Sequence, residues 1–195
     1  MKKNKIGFSV SFTFFASAAF FLSGELGINY LYALVFSLLH EAGHLLSMVV
    51  FGCYPDKISL GIAGIRIEKT AFSLSFFQEC VVALCGPLVN LIFAVIFSRN
   101  LSSLPFIINA GLLFVNLLPV KSLDGGRFLY NLIQLKYNSI TADRILQITE
   151  ILTIIMICGV LVVSFFIDSV NASFVLFSVM LVVMIATEIF EYINA

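Results

Sequence analysis

Charge is what this sequence has least of. Only 11% of its 195 residues are Asp, Glu, Lys or Arg, while 61% are hydrophobic and the mean hydropathy is +1.08. A soluble domain carries roughly 25% charged and 45–50% apolar residues, so a soluble chain is excluded and an integral membrane protein remains. Acidic and basic residues balance at 11 each, which leaves no basic surface for nucleic acid. No Gly/Ser-rich linker and no block of like charge interrupts the chain, so one membrane domain over residues 1–195 is expected. The four cysteines, Cys53, Cys80, Cys85 and Cys158, lack paired metal-ligand spacing, and three lie in or against apolar runs. They read as small buried residues, neither disulfides nor ligands. Histidine occurs only twice.

Both histidines fall in His40-Glu41-Ala42-Gly43-His44, inside an apolar run from about Ile28 to Gly52. An ionisable group at mid-membrane depth costs about 2.5–3.5 kcal/mol on insertion scales, so three in five residues need a reason. On a helix, residues four apart share a face and lie roughly 6 Å apart along the axis. His40 and His44 can therefore hold one metal ion, with Glu41 beside it. This is the His-Glu-x-x-His pattern of zinc peptidases, in which the glutamate takes a proton from the attacking water.

Apolar periodicity predicts an all-α polytopic membrane protein with six transmembrane helices. The first runs from Ile6 to about Ser23 behind three lysines, and the second is the run containing the histidines. The third spans about Phe76–Phe97, the fourth about Leu104–Val120, the fifth about Ile145–Ile167 and the sixth about Ala172–Tyr192. Between spans two and three, Ile58, Leu60, Ile62, Ile65 and Ile67 alternate with small or polar residues around Ala63-Gly64, which predicts a small β-hairpin. After span four, Gly126–Tyr137 is amphipathic and predicts a helix lying at the membrane surface. With a cytoplasmic N-terminus, ten of the 11 basic residues lie inside and only Arg99 outside. Both termini, the inner half of span two and Asp124 are then expected on the cytoplasmic side.

A catalytic zinc site needs three protein ligands and an open position. Asp124 is the best third candidate, because it follows Pro119 and its paired glycines, Gly125 and Gly126, let the backbone turn so that the carboxylate can swing inward. An N-cap role for the surface helix is its alternative. Glu79, Glu150 and Glu188 lack a comparable turn and read as interfacial or core-polar groups.

Three stretches in order, His40-Glu41-Ala42-Gly43-His44, Ala83-Leu84-Cys85-Gly86-Pro87-Leu88-Val89-Asn90, and Asn116-Leu117-Leu118-Pro119 to Leu123-Asp124-Gly125-Gly126, resemble the site-2 protease family of intramembrane zinc metalloproteases. The resemblance covers about residues 30–135. It implies a Zn2+ cofactor bound by His40, His44 and Asp124, Glu41 as catalytic base, and Asn90 holding the substrate or its oxyanion near the metal. It also implies a strand that engages an extended substrate. The compact six-span plan resembles the sporulation-type branch, without the soluble nucleotide-binding domain that often follows the last span there. The partner so implied is a membrane protein or membrane-associated precursor, such as a transcription-factor precursor or anti-sigma-type regulator, in a bacterial plasma membrane, with room for membrane regulators.

Two other classes stay open on the residues alone. A cation transporter could line its path with the same groups, although no internal repeat is evident and the ionisable cluster sits at one depth. An inactive client-binding homologue is the other, against which the intact Glu41 speaks.

Overall fold

The computed structural model describes residues 7–10, 27–54, 57–61, 64–68, 74–166 and 172–194. Contacts divide the chain into two compact units, Met1–Asn116 and Leu117–Ala195.

The first unit begins with β1 (Gly7–Val10), then α1 (Gly27–Val50), β2 (Lys57–Gly61), β3 (Gly64–Glu68), α2 (Phe76–Phe97) and α3 (Leu104–Asn116). The strands form one sheet in the order β1-β2-β3. β1 runs parallel to β2, with Gly7 opposite Lys57 and Val10 opposite Leu60. β3 returns antiparallel, with Gly61 opposite Gly64, and forms one edge of the sheet. The expected first span is thereby corrected at its start. A membrane helix satisfies its own backbone, whereas Gly7–Val10 pairs with β2, and its Gly-Phe-Ser-Val pattern has the two-residue period of a strand. The remainder of that expected span lies outside the described residues.

α1 is 24 residues long, about 36 Å at 1.5 Å per residue, and its C-terminus closes in a Schellman turn. Gly52 takes φ of 71°, the Cys53 amide donates to Met48 O at 2.9 Å, and the Gly52 amide donates to Val49 O at 2.9 Å. Met48 and Cys53 then pack together with Val82 of α2. α2 starts in a capping box: the Gln78 amide donates to Ser75 Oγ and the Ser75 amide donates to Gln78 Oε1. It continues through Pro87 to Phe97.

α1 and α2 pack through aromatic side chains from both helices at one level and through a glycine of α1 at another. Phe36 is buried against Phe93 and Phe97, at ring-centroid distances of 5.3 and 6.1 Å. Two turns further on, a Cβ at Gly43 would stand 2.7 Å from Cys85 O and 2.9 Å from a Val89 methyl. Only a glycine permits that approach, as at membrane helix crossings generally.

The second unit holds α4 (Asp124–Gln134), α5 (Ser139–Phe166) and α6 (Ala172–Asn194). Leu118, Val120, Ile157 and Ile185 form its buried apolar cluster.

Among the described residues three helices are long and apolar enough to cross a membrane, Ile28–Val50, Phe76–Phe97 and Ser139–Phe166. The apolar stretches Leu104–Asn116 and Val175–Phe190 are shorter. The expected fourth span ends at Asn116, not Val120; its 13 residues cover about 20 Å, short of a bilayer core of about 30 Å. Burial is inverted relative to a soluble protein. Asn90, Asn109 and Glu150 are fully buried, while Leu88, Val95 and Ile155 are more than half exposed. Apolar surface outside and polar groups inside is the arrangement a hydrocarbon solvent selects, and the protein is an integral membrane protein.

Gly43→Ala should force α1 from α2 and lower the thermal unfolding midpoint in detergent, in line with the about 1–3 kcal/mol typical of overpacking. Ala42→Leu, at an exposed position of the same turn, should leave it unchanged. Equal melting of Gly43→Ala and native protein would show that the close approach is not needed.

Candidate metal centre

His40 and His44 sit one turn apart on α1 and are both 4% exposed. Their Nδ1 atoms point to different partners on α2. His44 Nδ1 lies 2.7 Å from Val82 O, and a carbonyl can only accept, so this nitrogen carries the proton. His40 Nδ1 lies 2.5 Å from Asn90 Oδ1 and donates likewise. With both protons on Nδ1, the Nε2 atoms present lone pairs, and those two atoms lie 3.2 Å apart. Two ligands on a tetrahedral zinc, at about 2.05 Å each, stand about 3.3 Å apart. The pair thus has the spacing, the tautomers and the outer hydrogen bonds of metal-binding imidazoles.

Gly86 makes the room. A Cβ there would fall on His44 Nε2 and stand 2.7 Å from His40 Nε2. Glu41 follows His40 on α1 and is half-buried.

Asn90 is bound at both ends of its amide. Its Oδ1 accepts from His40, and its Nδ2 donates to Asn109 Oδ1 at 3.0 Å. Asn109 Nδ2 in turn donates to Pro105 O at 2.8 Å. Sequence reasoning missed Asn109, although an amide inside the apolar helix Leu104–Asn116 was a visible signal. The contributions of Val82 O and of the space at Gly86 had no signal in the sequence, since one is backbone and the other an absence of atoms.

Asp124 lies in the second unit, 6% exposed, as the first residue of α4. The N-cap position belongs to Leu123, which makes no side-chain cap bond. Arg127 Nη1 is 3.6 Å from Asp124 Oδ1, one turn along. The paired glycines serve a different purpose from the turn expected of them. Both lie inside α4, and among the described residues only Gly52 has a positive φ. A Cβ on Gly125 would meet Leu118 O at 2.6 Å, and one on Gly126 would meet Lys121 N at 2.7 Å. They let the helix start pack under the preceding loop. α5 holds that loop from the other side: Glu150 Oε1 accepts from the Lys121 amide at 3.0 Å, and the Thr149 hydroxyl shares its one proton between Leu146 O at 2.8 Å and Pro119 O at 3.2 Å. Glu150 is therefore a core-polar group with a defined task.

No family model matches the sequence. No curated protein matches it either. Among solved structures, the site-2 protease from Methanocaldococcus jannaschii matches with a TM-score of 0.61 at 21% identity, over 94% of this chain and 92% of that one. The chain has a site-2 protease fold.

Gly86→Ala should displace the imidazoles and weaken zinc uptake at least ~10-fold, the low end of what disturbing the surroundings of metal ligands costs. Isothermal titration of purified protein measures it. Native affinity in Gly86→Ala would show that the rings can move aside without leaving ligand geometry.

Proposed function

We propose that the protein is an intramembrane zinc metalloendopeptidase of the site-2 protease family, cutting a peptide bond in or near the membrane segment of a membrane protein or membrane-associated precursor. The observation that carries this reading is the convergence of His40 and His44 Nε2 at 3.2 Å with both Nδ1 atoms tied to α2. The fold likeness over 94% of the chain supports it.

His40, His44 and Asp124 would hold the ion, Asp124 being the buried carboxylate that the resemblance assigns as third ligand. An ion so held would supply Lewis acidity toward a scissile carbonyl and would make a water nucleophilic near neutral pH. Glu41, adjacent to His40, takes the proton of the attacking water and returns it to the leaving amine. Asn90 first orients His40, because its Oδ1 and one Nδ2 hydrogen are already engaged. Only its second Nδ2 hydrogen is left to meet a substrate oxygen.

Peptide bonds in a transmembrane helix are hydrogen-bonded and shielded, so the substrate must unwind before it is cut. An extended segment could then pair with the edge strand β3, as in added-strand recognition. The distribution of basic residues favours a cytoplasmic position for this chemistry and for both termini. A bacterial plasma membrane and a transcription-factor precursor or anti-sigma-type substrate are the setting that the sporulation-type resemblance suggests.

Purified native protein should carry about one zinc per chain and lose it in His44→Ala and Asp124→Ala, whereas Glu41→Gln should keep zinc but leave a co-expressed membrane-tethered precursor uncut. Undiminished zinc in both ligand variants would remove those residues from the site. Near-native cleavage by Glu41→Gln would move the base elsewhere.

Ile65→Pro deletes one backbone donor of β3 and should impair cleavage with zinc retained. Cleavage at the native rate would exclude β3 as the docking edge.

A further inference from the structure

Three consecutive hydrogen bonds lead from His40 into α3: His40 to Asn90, Asn90 to Asn109, and Asn109 to the carbonyl of Pro105, at 2.5, 3.0 and 2.8 Å. Both amides are 0% exposed, so water cannot substitute for a lost partner. An amide side chain can be turned end for end, and each member of such a series could in principle face either way. Its last member removes the ambiguity. The Pro105 oxygen has no proton to give, so Asn109 must present Nδ2 to it and Oδ1 to Asn90. Asn90 must then present Nδ2 to Asn109 and Oδ1 to His40, and His40 must carry its proton on Nδ1.

Resting on the reading that His40 is a metal ligand, we infer that Asn109 is a positioning residue that sets the direction of this amide relay and thereby the tautomer of His40. Without its Oδ1, Asn90 is free to rotate and offer Nδ2 to the imidazole. His40 Nδ1 must then accept, its proton moves to Nε2, and the lone pair aimed at His44 Nε2 is lost to metal binding. His44 is not exposed to this effect, because its Nδ1 is tied to a backbone carbonyl that cannot turn over.

The test reads the tautomer directly. Metal-free protein labelled with 15N in histidine, in detergent at a pH where both rings are neutral, gives two sets of ring signals, assigned with His44→Ala. In native protein both rings should be protonated on Nδ1. In Asn109→Leu, His40 should shift toward protonation on Nε2 while His44 does not, and zinc affinity should fall ~10–100-fold, as for other partners of metal-bound histidines. Asn109→Asp keeps an oxygen that can accept from Asn90 and should restore both readings. Native His40 protonated on Nε2 overturns the inference without recourse to any variant. Unchanged tautomer and zinc affinity in Asn109→Leu also overturns it. Should Asn109→Leu not fold, the native tautomer and restored behaviour in Asn109→Asp decide. A tautomer shift in a protein that binds no zinc would uphold the relay and refute the metal reading instead.

Discussion

Two imidazoles in an apolar helix must find partners within the protein, and much of the first unit is arranged around that need. Hydrocarbon offers no hydrogen bonds, so each ring nitrogen not aimed at the other ring has to be met by a neighbouring chain. α2 meets both, with the Val82 carbonyl for His44 and the Asn90 side chain for His40. For these contacts the helices must lie close, and glycine is the means: Gly43 admits the Cys85 carbonyl and Gly86 admits the rings themselves. The relay continues into α3 through Asn109, so three helices share one polar network in a unit whose lipid-facing surface is apolar.

The second unit meets a similar demand around Asp124. A carboxylate on the first residue of a helix is favoured by the exposed amides and dipole there, and Arg127 adds a cation one turn on. The loop before it would leave buried backbone groups without partners. Thr149 and Glu150 supply two of them from α5, which accounts for an acid inside one of the most apolar helices of the chain. Gly125 and Gly126 take part through their size alone.

Metal chemistry fits this construction because the ring protons are placed before any ion arrives. A histidine whose Nδ1–H is held by an acceptor keeps a lone pair on Nε2 and loses little freedom on binding. Two such atoms 3.2 Å apart stand as far from one another as two ligands of one tetrahedral ion would.

The sequence by itself determined the membrane character, the helix carrying His40, Glu41 and His44, the alternating stretch Lys57–Lys69 and the polar positions Asn90, Asp124 and Glu150. These depend on composition, period and local spacing, which a linear chain displays directly. It misjudged Gly7–Val10, where an apolar run reads as the start of a helix until β2 is present to pair with it, and it extended the helix ending at Asn116 into a loop whose Leu118 and Val120 are apolar because they enter the second unit's buried cluster. Only the tertiary structure decided which nitrogen of each imidazole is protonated, that Asn109 completes the relay, and that Gly86 and Gly125-Gly126 serve by leaving space. The tautomers, the relay and the space at Gly86 depend on the proximity of residues nineteen to fifty apart in the chain, as between Asn90 and Asn109 or His40 and Asn90, while Gly125-Gly126 meet a loop only a few residues back. Packing alone creates that proximity.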